Sequence, residues 1–388
     1  MSERRRRIPA MVNAHSHAFQ LDLRGVGERV SRGGGDDFWS WRNEMYRLAG
    51  MHDPDSMHGA GGRVYRMMAA AGYGAVGEFH YVHHQPDGTP YPEPNAMAIA
   101  LAEAALAAGL QITLLPAAYH RAGWANGADI PASEGQRRFC DPSVEAYLER
   151  VDGLRAWAAD HAGVSVGVAA HSVRAVDAAW LREIAAYADR HGLVRHVHAA
   201  EQRRELAECE SEHGCSPIEL LHRTGFLGPR TSVVHAIHVS DADVARLADS
   251  NSIVVTCPTT EGNLGDGILP GLRYRDAAVR LAIGTDEQTR IDPFEELREM
   301  ETLARREGQT RDALLAAAGG ELWDVTVSTG RASLGLDAVA EIEIDLEHPE
   351  LASVAEENLG WALATCASAA VVRADVRTLR ERGIHPGE

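Results

Sequence analysis

Lysine is absent from all 388 residues, so every one of the 38 basic residues is arginine. Schiff-base catalysis, pyridoxal phosphate attachment, the P-loop lysine and a metal pair bridged by a modified lysine are thereby excluded, because each needs an ε-amine. Cysteine is sparse: Cys140, Cys209, Cys215, Cys257 and Cys366 are odd in number and share no zinc-ribbon spacing, which fits a reducing cytoplasm better than a disulfide framework. Long apolar runs are missing too. The longest, 96–110, is interrupted by Glu103 and falls short of the roughly 20 residues that span a bilayer, so no membrane partner is expected. Positive charge is in deficit, 38 basic against 56 acidic residues for a net charge of −18, which argues against nucleic acid as the main partner. The Arg4 to Arg7 run reads as a solvated leader, since the apolar stretch 8–14 is too short for a signal peptide core.

An apolar content of 45% with 24% charge is that of a large globular chain. From Pro9 onward, short Val/Ile/Leu-rich segments alternate with longer segments of helical period, the pattern of parallel strands joined by crossover helices. Eight strands are expected, at 10–14, 75–81, 111–117, 165–170, 194–198, 232–236, 253–257 and 281–285. Helices are expected at 96–108, 144–161, 178–191, 217–224 and 241–250, with Ser240 as a cap and Gly109, Gly192 and Gly225 as stops. No Gly-x-Gly-x-x-Gly lies at a strand-to-helix turn, and Gly33 to Gly35 reads only as a flexible turn cluster. The fold class is therefore α/β, a closed (β/α)8 barrel over residues 1–308. Residues 309–388 are read as an appendage packed on the barrel, with helices at 311–322 and 362–382 flanking a short β segment at 339–346.

In such a barrel the chemistry gathers where strand C-termini meet the following loops. The strand ends here are rich in ligand-type residues: His15 and His17, His80 and Tyr81, His171 and Arg174, His198 and Glu201, His235, and Asp286. His15 and His17, separated by one residue on a strand, point to the same face and reach one ion together. With His198 and Asp286 they offer three nitrogens and one carboxylate, a shell suited to one zinc with a place left for water. A lone strand-end histidine is usually a hydrogen-bonded structural group, but four ligand-type residues on separate ends of one barrel point to metal. Glu201 and His235 border the open position as proton-transfer groups. His83, His84, His120, His196, His213, His222 and His238 are left as structural or surface groups.

The strings Asn13-Ala-His-Ser-His-Ala-Phe-Gln20, Glu78-Phe-His-Tyr-Val-His-His84, Ala170-His-Ser-Val-Arg174, His198-Ala-Ala-Glu-Gln202 and Asn263-Leu-Gly-Asp-Gly267 resemble the amidohydrolase superfamily, and within it the formimidoylglutamate deiminases. The resemblance implies a zinc-dependent hydrolase acting on the formimidoyl carbon of N-formimidoyl-L-glutamate in histidine degradation, with Gln20, Tyr81, His171 and Arg174 holding the glutamate part. It also implies catalytic roles for Glu201, His235 and Asp286. Arg174, Tyr81 and Gln20 are the donor types that carboxylates need, and Asn263 is expected to line the same pocket. The expected partner is a small anionic amidine, and a homodimer is compatible with the chain. Two other classes stay open, a relative acting on another amidine, guanidine or cyclic imine, and a non-catalytic binder of an acidic metabolite.

The chain departs from the family pattern twice. Glu287 and Gln288 follow Asp286 where Ser-His is usual, so Glu287 either turns away from the site or changes its specificity. Only 14 residues precede His15, so the small β-sandwich of the family is expected to be reduced or absent, with 339–346 as the remnant of one half.

Overall fold

The computed structural model of the protein describes residues 4–29 and 38–373. In chain order its strands are β1 (Arg5–Pro9), β2 (Met11–Ser16), β3 (Tyr73–His80), β4 (Gln111–Ala118), β5 (Gly123–Ala125), β6 (Ala128–Ile130), β7 (Val164–Val166), β8 (Val168–Ser172), β9 (Arg195–Ala199), β10 (Thr231–His235), β11 (Ile253–Thr256), β12 (Arg280–Ile283), β13 (Glu341–Asp345) and β14 (Val372–Arg373). Eight of them run in parallel in the order β2-β3-β4-β8-β9-β10-β11-β12, with β7 paired to β4 just ahead of β8. The cylinder closes through a single bridge between Ser16 and Asp286, supported by the amides of Thr285 and Asp286 on the carbonyl of His15, both at 3.0 Å. This is the expected (β/α)8 barrel.

The strands form where apolar runs can be buried on both faces, as parallel strands between a filled interior and a helical coat require; β2, β3, β9, β10 and β11 are buried throughout. The expected strand at 165–170 is split at Gly167, where a Cβ would stand 2.8 Å from side chains of Leu115 and Val194. Ser240 caps the helix Asp241–Asp249 in a reciprocal box with Asp243. Gly192, at φ 64°, ends the helix Ala178–His191 in the left-handed conformation that glycine adopts cheaply. No helix among the described residues is long and apolar enough to cross a membrane.

Three local expectations are corrected. The arginine run is a strand and not a free leader: β1 pairs antiparallel with β13, setting Arg5 opposite Asp345 and Arg7 opposite Glu343, and the guanidinium groups of Arg5 and Arg7 donate to Glu343 at 3.1 and 3.2 Å. Opposite charges across a strand pair stabilise exposed sheet, which gives these arginines a reason to be ordered. With β14 they make a three-stranded sheet among the described residues, so an accessory β region is present. The expected helix at 311–322 shrinks to Leu314–Ala317, because Gly319 and Gly320 both take positive φ and turn the chain before a longer helix, Leu322–Leu334. The expected helix at 362–382 stops at Thr365, and Val372 pairs with Ile344 of β13 instead; 374–382 lies outside the described residues, as does the turn cluster Gly33 to Gly35. The helix Leu322–Leu334 lies across the N-terminal mouth of the barrel, where Gly330 approaches Val12 closely enough that a Cβ would be 2.8 Å from its side chain.

Candidate active site

At the opposite mouth, strand alternation and the β2 to β12 seam bring the expected ligands together. The Nε2 atoms of His15 and His198 are 3.0 Å apart. One ligand nitrogen from each of His15, His17 and His198 falls within 4.8 Å of the others, and all three residues are buried. Asp286 Oδ1 is 3.2 Å from His17 Nε2 and 3.5 Å from His15 Nε2. The outer nitrogens of two rings are fixed by backbone: His17 Nδ1 lies 2.7 Å from the carbonyl of Phe79 and His198 Nδ1 lies 2.8 Å from that of His171. A carbonyl accepts only, so each Nδ1 carries the proton and each Nε2 keeps a lone pair aimed inward.

Burial lowers all three histidines, His15 to about 3, and thus holds them neutral. Burial alone would raise Asp286, but its hydrogen bond to His15 and the positive charge of His235 keep the carboxyl well below its usual range. Neutral imidazole lone pairs and a carboxylate converging in a buried space form a set of acceptors without enough protons, and a divalent cation satisfies it.

Glu201 and His235 border this cluster, with His235 Nε2 3.8 Å from Glu201 Oε1 and 3.7 Å from Asp286 Oδ2. His235 Nδ1 is anchored 3.3 Å from Glu261 Oε1. Burial pushes His235 down, yet Glu201, Glu261 and Asp286 outweigh it and raise it to about 10. Burial raises Glu201, opposed by His235 and Arg174, and its backbone amide donates to Glu205 Oε2 at 3.2 Å.

Gln20, Tyr81, His171 and Arg174 are among the residues that line the cavity above this cluster. Gln20 Nε2 donates to the Tyr81 hydroxyl at 2.8 Å, while Gln20 Oε1 is buried with no hydrogen-bond partner. Asn263 is not part of this lining: it is exposed, and its amide donates to Glu287 Oε1 at 2.6 Å. The same contact, with a second from Thr289 at 2.6 Å, resolves the Glu287 question. That carboxylate is turned away from the cavity into its own pair of donors.

The sequence reading missed the outer wall. Trp41, Arg42, Met45 and Tyr46 line the cavity from the helix Phe38–Ala49 in the long connection after β2. Their i and i+4 spacing, Trp41 with Met45 and Arg42 with Tyr46, is the signal that would have found them. A 3-10 segment, Glu134–Phe139, clasps this helix: Gln136 donates to the hydroxyls of Tyr46 and Tyr119 at 3.2 and 2.6 Å, and the buried Arg138 donates to the carbonyls of Ala49 and His52.

The closed (β/α)8 barrel has counterparts among known proteins. The amidohydrolase family matches residues 7–318, and the chain belongs to that family. Within it, the formimidoylglutamate deiminase of Pseudomonas aeruginosa is 39% identical over 332 residues, 84% of this chain and 72% of that protein. The crystal structure of an amidohydrolase from Brucella melitensis superposes with a TM-score of 0.85 at 32% identity, covering 97% of this chain and 87% of that one. A zinc-bound adenosine deaminase from Xanthomonas campestris shares the fold, with a TM-score of 0.75 at 21% identity over 94% of this chain and 77% of its own.

Proposed function

We propose that the protein hydrolyses N-formimidoyl-L-glutamate to N-formyl-L-glutamate and ammonia, with one zinc ion per chain held by His15, His17, His198 and Asp286. The observation that carries this reading is the cavity's division into two chemistries. On its floor are acceptors short of protons. On its wall are two guanidinium groups, Arg42 and Arg174; burial lowers the pKa of Arg42, with Tyr46 opposing and the charge of Arg174 adding to it, while for Arg174 burial is outweighed by Glu205, Tyr119 and Glu201, which raise its pKa. Two forked cations lining one cavity suit a ligand carrying two carboxylates. The 39% identity to the Pseudomonas enzyme points to the same substrate.

Bound zinc supplies Lewis acidity and lowers the pKa of an attacking water. The protein's own groups handle the proton and the substrate. Glu201 takes a proton on its carboxylate and delivers it to the departing nitrogen, which then leaves as ammonia; burial, by raising its pKa, makes it competent in both directions. His235, held by Glu261, points Nε2 at the reacting carbon's surroundings and stabilises negative charge developing there. Arg174, Arg42, Gln20 and the Tyr81 hydroxyl orient the glutamate part.

Ammonia release from N-formimidoyl-L-glutamate, compared with release from its dicarboxamide, tests the proposal. The expected result is turnover of the acid and little of the amide, loss of activity on chelation, and recovery with about one zinc equivalent per chain. Preference for the uncharged compound would reject the acidic substrate, and two metal equivalents would reject the site as drawn.

A further inference from the structure

The closing seam of the barrel coincides with the proposed ligand cluster. Between β2 and the segment after β12 the described backbone forms one bridge, Ser16 to Asp286, with the amides of Thr285 and Asp286 on the His15 carbonyl and the amide of His17 on the Asp286 carbonyl, each at 3.0 Å, so few backbone bonds hold the segment carrying His15 and His17 to the one carrying Asp286. The turn after β12 is also conformationally unusual, with Asp286 at φ 47° and Gln288 at φ 68°, both in the left-handed region that side chains disfavour.

A buried chain of side chains adds to these ties. Asn13 Oδ1 accepts from the amides of Thr285 and His15 at 3.1 and 3.3 Å, and Asn13 Nδ2 donates to Thr285 Oγ1 at 2.7 Å. Thr285 Oγ1 donates to Gln288 Oε1 at 2.8 Å. Gln288 Nε2 then donates to Ser16 Oγ at 3.0 Å and to the carbonyl of Asp286 at 2.7 Å. Ser16 Oγ donates onward to Glu78 Oε2 at 2.8 Å, and the other oxygen of Glu78 accepts the amide of Ala18 at 2.7 Å. Asn13, Ser16, Thr285 and Gln288 are wholly buried, and water does not substitute for these bonds at no cost. The orientation of the Gln288 amide follows from its neighbours, because the Asp286 carbonyl can only accept.

We propose that Gln288 is a positioning residue for the metal centre: it pins Ser16, which lies between two histidine ligands, to the backbone of the aspartate ligand, and so sets the affinity for zinc without touching zinc or substrate. The inference rests on the metal site proposed above.

The test uses the full chain and reads zinc affinity by competition with a chromogenic chelator, together with melting temperatures of the metal-free and zinc-loaded forms. Gln288→Leu should bind zinc about 10- to 100-fold more weakly, the usual loss when an outer partner of a metal ligand is removed, and should show a smaller zinc-induced rise in Tm. Thr285→Val, which removes only the hydroxyl that holds Gln288 Oε1, should lose less in the same direction, and it decides the matter if Gln288→Leu does not fold. Zinc affinity within twofold of the wild type in a folded variant, whatever happens to the metal-free Tm, would overturn the proposal. A wild-type chain that takes up no zinc would overturn it together with the metal reading. Because no substrate enters this assay, a chain that binds zinc tightly yet leaves N-formimidoyl-L-glutamate untouched would strike the substrate reading alone.

Discussion

His196 and His198 sit two residues apart on β9, face the same interior and are both buried, yet they belong to opposite ends of the barrel and to different kinds of chemistry. At the N-terminal mouth the helix Leu322–Leu334 closes over the opening. His196 Nε2 reaches the carbonyl of Ser333 at 3.0 Å, Ser232 Oγ meets Ser333 Oγ at 2.8 Å, and Thr113 Oγ1 donates to the carbonyl of Leu334 at 3.1 Å. At the C-terminal mouth the ring of His198 spends its outer nitrogen on a carbonyl and turns the other toward His15. The comparison teaches that a buried polar ring does not make a site by itself. A site arises where the protein leaves acceptors facing one another and covers them with a cavity rather than with a helix.

The sharpest way to break the contrast is Glu201→Gln. Zinc should stay bound, since Glu201 is outside the proposed ligand set, while kcat should fall by about two to four orders of magnitude with the loss of the proton carrier. Turnover at the wild-type rate with zinc in place would remove Glu201 from the chemistry. A smaller effect is expected at the wall. Arg174→Met should lower kcat/KM for N-formimidoyl-L-glutamate by roughly 30-fold to several thousandfold, equivalent to about 2 to 5 kcal/mol, and should spare the dicarboxamide. Equal losses on both compounds would make Arg174 a support of the barrel rim.

The other mouth should answer in stability and not in rate. Burial lowers His196 from 6.5 to about 4, so between those values the unfolded chain binds a proton that the folded chain refuses. Stability contributed by the neutral ring is therefore complete above pH 6.5 and is lost as pH falls toward 4. In His196→Gln, which keeps a donor for Ser333 but cannot titrate, the decline from pH 7.5 to pH 5 should be shallower by about 1 to 2 kcal/mol, with kcat within about twofold of the wild type. Urea unfolding at the two pH values measures this, and an unchanged pH slope would refute it.

Much of this was legible in the chain itself. Parallel strands buried on both faces are continuous apolar runs, so their ends, and the ligand-type residues on those ends, could be placed within a residue or two from the apolar pattern alone. His15, His17, His198 and Asp286 converge because closing a barrel of eight such strands leaves them little alternative. The outer wall was illegible for the opposite reason. Trp41 and Arg42 reach the cavity from a helix in a long connection whose return path no strand pattern dictates. Arg5 and Arg7 looked like a solvated tail because their partner, the acidic strand Glu341–Asp345, is more than 330 positions away, beyond the reach of local periodicity. Asn263 was assigned to the cavity through its motif, but the direction of its side chain depends on Glu287, a neighbour in space.

The seam between β2 and β12 also bears on how the protein is made. Asn13 and Thr285, the first links in that seam, are separated by 272 positions in the chain. Two of the four proposed ligands lie at the end of the first barrel strand, a third on the fifth, and the fourth emerges only after the eighth, so the ion does not nucleate assembly as it does in a zinc finger. Contacts of such long sequence separation form late, after the entropy of closing the loop has been met. Zinc would then be acquired by a barrel already closed, and scarcity of metal in the cell would yield folded, inactive enzyme awaiting its ion rather than misfolded chains.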